Sequence, residues 1–390
     1  MNNICDRKKC TGCGACYNVC PQNAIEMKFI DGFLSPVIDE KKCINCNLCT
    51  KTCPALNIIK KNIKCKNVIA AYNKDKNIRD TSSSGGVFVA LAKYIIKKQG
   101  FVFGAEMQDD LYVKHIKIDT EHNIKKLQGS KYVQSDTNVM YKEVKRLLQS
   151  NKLVLYSGVP CQIAGLYNYL KENPENLYTC EVLCHGGASP VAFQKQIQLV
   201  SKMNSKKVSS INFRYKTEKR PQNLLYEFSD GTSKIITDPM TDYYYQGFQS
   251  GVLLRDSCFK CQYVGTERCA DITLGDFWGF KSNGFNKPDN MAYPSLVMLN
   301  TKKAEKIWKA VSSEFNYTER PIEECIHSNI TLIRPLPKNS FHNLFFKELE
   351  DENYENLAKK YLIRHLTWKD HIKNLIGPKL TKKMLKILRR

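Results

Sequence analysis

Nowhere in the 390 residues is there an uninterrupted run of eighteen apolar side chains, so no segment reads as a membrane-spanning helix. The start, MNNICDRKKC, lacks an apolar core of signal-peptide length, and the expectation is a cytoplasmic protein. No GxGxxG follows a strand-like segment, which removes the fingerprint of a Rossmann nucleotide site. A helix-turn-helix pattern is missing too, and histidine is scarce, with no two of the seven at metal-ligand spacing. Acidic residues are few, 38 against 60 basic ones, and the net charge of +22 favours anionic partners in general. Most of that excess is lysine in a Lys/Asn/Ile-rich chain, so nucleic acid is not the expected partner. An apolar share of 42% with 14 Pro and 20 Gly is that of a globular protein, and the length calls for two or three domains.

Cysteine, by contrast, is plentiful. Seventeen in a reducing compartment do not read as a disulfide framework; spaced cysteines there mean metal or redox chemistry. Two runs repeat each other: Cys10, Cys13, Cys16, Cys20, Pro21 and Cys43, Cys46, Cys49, Cys53, Pro54, each C-x2-C-x2-C-x3-C-P. The tight triple wraps a loop around one iron-sulfur cube, and the fourth cysteine, at the next helix, crosses to the other cube. The spacing therefore assigns Cys10, Cys13, Cys16 and Cys53 to one 4Fe-4S cluster, and Cys43, Cys46, Cys49 and Cys20 to a second. Zinc also uses C-x2-C spacing, but it takes four ligands per site and does not call for a duplicated triple-plus-one. Gly12 and Gly14 keep the backbone close to the cube, and the segment MKFIDGFLSPVID reads as a hairpin with a DG turn. Residues 1–60 thus read as a two-cluster ferredoxin-type domain. Cys5 and Cys65 fall outside the pattern and read as plain residues.

From about Asn67 the texture changes to alternating strands and helices, the mark of an α/β or α+β domain with covered strands. Ser82, Ser83, Ser84, Gly85 and Gly86 open a helix, where hydroxyls cap free amides and glycines admit a phosphate; taken alone, the motif favours an ordinary N-cap with flexible glycines. Gly129, Ser130, Lys131, Tyr132 and Val133 join a cation, hydroxyls and a ring, either a phosphate or flavin contact or a satisfied loop. Cys161 stands at a strand end and a helix start, where a thiolate is stabilised as nucleophile or metal ligand. Cys184 and His185 mark another strand end. Cys258, Cys261 and Cys269 are either a redox dithiol with a neighbour or part of a metal site.

The segments SSSGGVF, GSKYVQS, SGVPCQIAGL, LCHGGASP, RDSCFKCQY and ERCADITLGDFWG, in this order behind a two-cluster ferredoxin, resemble the coenzyme F420 hydrogenase/dehydrogenase beta-subunit family. The resemblance reaches to about residue 350. It implies a larger domain over 67–340 that binds FAD and a third 4Fe-4S cluster, with Cys161, Cys184, Cys258 and Cys261 as ligands and Cys269 a rival for one place. It also implies that Ser83, Ser84, Gly85 and Gly86 contact FAD phosphate, with Ser130, Lys131 and Arg268 as further flavin-site candidates and Asp271 and Asp276 ordering the cluster loop. Cys180 and Cys325 read as core residues. His185 is the candidate for protonation at a flavin or substrate, since its imidazole titrates near neutrality.

The expected function is an oxidoreductase passing electrons between clusters and FAD, to or from a deazaflavin such as coenzyme F420 or an organic substrate, with surface-polysaccharide synthesis as one setting the resemblance suggests. The alternative is a relay subunit, without its own substrate, in a complex with an electron-carrier protein or redox partner subunit. Residues 341–390 read as a helical, basic tail. From Trp368 to Arg390 it has eight Lys/Arg against one Asp, suited to an anionic membrane face or an acidic carrier, or to a solvated helix on its own domain.

Overall fold

Asp31 and Gly32 carry φ of 50° and 80°, the left-handed pair that a two-residue hairpin turn needs, and they join β1 (Ile25–Ile30) to β2 (Phe33–Ile38). The computed structural model describes residues 3–59, 67–218, 220, 222–283, 285 and 293–363. The hairpin and the short helices Ala15–Val19 and Leu48–Thr52 form the small N-terminal unit, a ferredoxin-like arrangement in which each helix carries the third cysteine of a triple and ends at the fourth of its run.

The larger unit is built on an eight-stranded sheet. Its strands are β3 (Asn67–Asn73), β4 (Phe101–Met107), β5 (Val113–Ile118), β6 (Val154–Gly158) and β7 (Leu177–Val182); β8 (Val208–Tyr215), β9 (Asn223–Phe228) and β10 (Ser233–Ile236) form a separate antiparallel sheet; and β11 (Ile272–Asp276), β12 (Ser295–Leu299) and β13 (Phe315–Pro321) return to the first. The order is β13-β3-β12-β11-β7-β6-β4-β5, with β4, β6, β7 and β11 parallel to their neighbours in the centre and antiparallel pairs on either side. Consecutive residues of the central strands face opposite ways and both are buried. Leu155 packs under the helix Val87–Lys97, while Val154 and Tyr156 pack under the helices Met140–Gln149 and Pro160–Leu170. Two covered faces explain the near-continuous apolar strands seen in the sequence.

The mixed α/β character expected from the sequence is what the chain forms. Beyond residue 341, the helices His342–Glu348 and Tyr354–Tyr361 place Phe345, Leu357, Ala358 and Tyr361 in the core shared with β8, β9 and the helix Pro190–Asn204. This stretch is therefore packed domain core, because its apolar side chains have a partner surface. The basic stretch Trp368–Arg390 and Cys65 lie outside the described residues.

Candidate redox site

The two cysteine triples ring two cavities in the N-terminal unit. One is lined by Cys10, Cys13, Cys16 and Cys53, and also by Cys5. The other is lined by Cys43, Cys46, Cys49 and Cys20. In each set the fourth thiol comes from the opposite run, because each short helix carries its last cysteine across to the neighbouring loop. Among the described residues no group of three or more His, Cys, Asp or Glu sits as a single metal ion requires. The thiols surround a space, and four thiolates on the walls of such a space are the donor set an iron-sulfur cube takes. Backbone N–H groups point at the sulfurs: Ala24 donates to Cys20 Sγ at 3.3 Å, and Gly12 and Ala15 donate to Cys10 and Cys13. Burial pushes the Cys13 thiol up to about 12, so in this site a bound cation has to draw the proton off.

The first cavity faces the larger domain. Arg255 is 4% exposed, and its guanidinium donates to Cys10 O (2.6 Å), Leu34 O (2.8 Å), Gln134 Oε1 (3.0 Å) and Ser35 Oγ (3.0 Å). Thr137 Oγ1 donates to Cys13 O at 2.9 Å, and Tyr263 donates its hydroxyl to Pro54 O at 2.9 Å. Gly12 and Gly14 have φ of 65° and 75°, and a Cβ at either would collide with Gln134 or Thr137 at 2.3 Å. Their glycine character thus serves the domain junction as well as the cysteine loop.

Across that junction lies a second group of cysteines. β6 and β7 are parallel neighbours, with Gly158 opposite Glu181, so their ends deliver Cys161 and Cys184 side by side. Cys161 sits in the first turn of the helix Pro160–Leu170, started by extended Val159, whose N–H donates to Gln162 Oε1 at 3.0 Å, and by Pro160 at the first position. Cys258 and Cys261 come from the one-turn helix Asp256–Lys260. Cys184, Cys258 and Cys261 all act electrostatically on Cys161, as does Cys13 from the first cavity. Gly165, one turn after Cys161, is where the two groups touch: a Cβ there would meet Cys13 Sγ at 3.0 Å. Gly187 N donates to Cys258 Sγ at 3.3 Å and Tyr263 N to Cys261 Sγ at 3.4 Å. Cys269 packs beside Cys161 and Cys261 with its thiol donating to Glu181 Oε2 at 3.0 Å, and Cys180 and Cys325 are buried in apolar cores.

The remaining expected residues divide. Ser83 Oγ lies 2.8 Å from Ser130 Oγ, and Ser84 Oγ lies 2.9 Å from Ser295 Oγ, so the SSSGG and GSKY loops meet. The serines do not cap the following helix as expected. Gly86, at φ 88°, occupies the cap position without a side-chain bond, and the hydroxyls bridge between loops instead. Gly85 passes so close to β3 that a Cβ would meet Ala71 O at 2.1 Å. Lys131 donates to Gln128 O at 2.7 Å, and burial lowers its ammonium to about 8. Arg268 is placed elsewhere: its buried guanidinium pairs with Glu181 and donates to Tyr263 O and Gly265 O, ordering the loop that carries Cys261. Asp271 accepts from Thr179 and Thr301 and fixes strand ends. Asp276, expected to order the cluster loop, instead pairs with Arg214 at 2.7 Å beside the SSSGG loop. His185 rests 4.9 Å from the Phe248 ring; its Nε2 is buried and without a hydrogen-bond partner, and burial lowers its pKa.

Sequence reasoning missed Arg214 and Lys216. Both project from the end of β8 toward the SSSGG loop, Arg214 Nη2 to Ser83 O at 3.2 Å and Lys216 Nζ to Ser84 O at 3.3 Å. Two cations at alternate positions, RYK, were the available signal. Arg214 Nε is a buried donor without a partner, and a Cβ on Gly129 or Gly187 would meet nothing within 4 Å. Open space, a spare donor and concentrated positive charge would suit an anionic group beside the SSSGG loop.

These features define a class, that of an iron-sulfur electron-transfer protein of the oxidoreductase type. The 4Fe-4S dicluster domain model matches residues 9–57, and the model of the C terminus of the coenzyme F420 hydrogenase/dehydrogenase beta subunit matches residues 151–324. Residues 151–324 are thus similar to the C-terminal part of that beta subunit, and a dicluster domain stands in front of them. No curated protein matches it. Among solved structures, a chain of the F420-reducing NiFe hydrogenase complex from Methanosarcina barkeri is 20% identical; the alignment covers 78% of this chain and 97% of that one, with a TM-score of 0.45. Among the described residues no helix is long and apolar enough to cross a membrane.

Proposed function

We propose that the protein is an iron-sulfur flavoprotein oxidoreductase in which electrons pass along a line of three clusters to or from FAD. Clusters exchange single electrons, and a flavin converts them to the pairs that an organic substrate takes. Cys43, Cys46, Cys49 and Cys20 hold the outer cluster, where Cys46 is exposed; Cys10, Cys13, Cys16 and Cys53 hold the buried middle one. Cys161, Cys184, Cys258 and Cys261 hold the third. The observation that carries the reading is the approach of Cys13 to the helix of Cys161 at Gly165, which sets the middle and third donor groups against each other.

The chain's own groups then do four things. Arg255 locks the dicluster domain onto the loop bearing Cys258. Ser83, Ser84, Gly85, Gly86 and Ser130, with Lys131, Arg214 and Lys216 behind them, bind the anionic part of FAD. Burial of the middle cysteine group excludes water from that part of the path. His185, beside Cys184, holds the proton exchanged with substrate at its Nε2. The acceptor is a deazaflavin of the coenzyme F420 kind, named by the family, or an organic substrate. The partner that feeds the chain is an electron carrier or a redox subunit.

The test is anaerobic purification with iron, sulfide and flavin counts: about twelve irons and one flavin per chain are expected. Reduction of a deazaflavin by the purified chain alone supports an enzyme with its own substrate site, and turnover only with an added partner subunit supports a relay. About eight irons, unchanged in Cys258→Ser, removes the third cluster from the account.

A further inference from the structure

The cavity lined by Cys10, Cys13, Cys16 and Cys53 has a fifth thiol in its wall. Cys5 lies within hydrogen-bonding reach of two of the four, Cys10 and Cys53. Its position is built in. Ile4 is 7% exposed and packs in the cluster of Cys16, Ile25 and Cys53. The chain then turns tightly, with Lys9 N and Cys10 N both donating to Asp6 O, at 2.9 and 3.0 Å, and Lys8 N to Asp6 Oδ1 at 2.9 Å. That turn brings the thiol of Cys5 back onto Cys10.

The second cavity gives the comparison. The two runs repeat with a constant offset, so Cys10 corresponds to Cys43 and Cys5 to Ile38. Ile38 lines the second cavity as an apolar wall, and among the described residues the cysteines lining that cavity are the four of the motif, with no fifth thiol. Cys5 therefore puts a thiol where the sister site has a hydrocarbon. An apolar wall would fill the space equally well, so packing alone does not require sulfur there.

We propose that Cys5 is a reserve ligand of the middle cluster, able to take the iron position of Cys10 or Cys53 but not that of Cys13 or Cys16. In the exchange one iron-sulfur bond, to Cys10 or Cys53, breaks and one, to Cys5, forms. The Cys5 proton passes to the departing thiolate with which it is already hydrogen-bonded, so no electron changes hands and charge is conserved. The consequence is that the cluster at the domain junction survives the loss of either of two ligands, whereas the outer cluster does not. This rests on the cluster assignment made above.

The experiment counts iron and sulfide per chain and records electron paramagnetic resonance of the reduced protein for Cys10→Ala, Cys53→Ala, Cys13→Ala and Cys43→Ala, and for Cys10→Ala and Cys53→Ala each combined with Cys5→Ile. Alanine is chosen because it offers no oxygen ligand. Cys10→Ala and Cys53→Ala are expected to keep the wild-type iron count. Cys13→Ala, Cys43→Ala and both double variants are expected to fall by about four irons. Loss of iron in either Cys10→Ala or Cys53→Ala, whether as a lower count or as insoluble chain, overturns the proposal, as does retention in the double variants. Wild-type protein without the two N-terminal clusters overturns the underlying assignment instead, so the two failures are separate.

Discussion

Arg255 decides how firmly the two domains are joined. A lysine cannot reproduce its fork, which serves four acceptors on three segments, and an alanine leaves the buried carbonyls of Cys10 and Leu34 without donors. Arg255→Ala is expected to cost about 3 kcal/mol in denaturant unfolding, since each orphaned buried group costs about 1 to 3. His115 gives a pH signature. Its Nε2 donates to Ser157 O at 3.0 Å, its Nδ1 is buried without a partner, and burial lowers its pKa to about 4 from 6.5. Between these values the unfolded chain binds the proton and the folded one does not, so stability falls as pH drops from 6.5 toward 4. The loss is on the order of 3 kcal/mol, and His115→Gln should flatten that part of a melting-temperature profile relative to wild type.

Close approach at helices and turns sets the geometry at the next scale up. Gly165→Leu would drive a side chain into Cys13 Sγ and the Tyr141 hydroxyl, 3.0 and 3.1 Å from a Cβ at that position. It should weaken the magnetic interaction between the reduced middle and third clusters while the outer cluster's signal stays unchanged. Gly85→Ala would put a methyl group against Ala71 O, and the expected result is loss of flavin with iron retained, measured on the same sample.

Legibility follows sequence distance at this scale. The ferredoxin triples and the Asp31-Gly32 hairpin are read directly because their chemistry is local: a loop around a cube and a turn each fit within a few residues. Cys161, Cys184, Cys258 and Cys261 meet only because β6 and β7 are neighbours and a distant loop folds over their ends, so spacing alone leaves Cys161 as nucleophile or metal ligand and Cys258 with Cys261 as dithiol or half of a metal site. Arg214 and Lys216 offer only the alternating cations of RYK as a signal, because the loop they support lies far away in sequence. Arg268 stood beside a cysteine in the sequence, but the fold uses it in a buried pair with Glu181.

At the scale of the molecule, the sheet is covered on both faces and its central strand ends are left for chemistry, so the dicluster domain docks where those ends open. On the proposed assignment, electrons travel between the outer cavity at Cys46 and the SSSGG loop by way of Cys13 and Cys161, in either direction. Metal and flavin analysis of oxygen-free protein tests this arrangement most directly. The account predicts a brown protein with iron and sulfide in equal amounts, about twelve of each, and one flavin per chain. A colourless protein holding zinc, with no flavin, would contradict it.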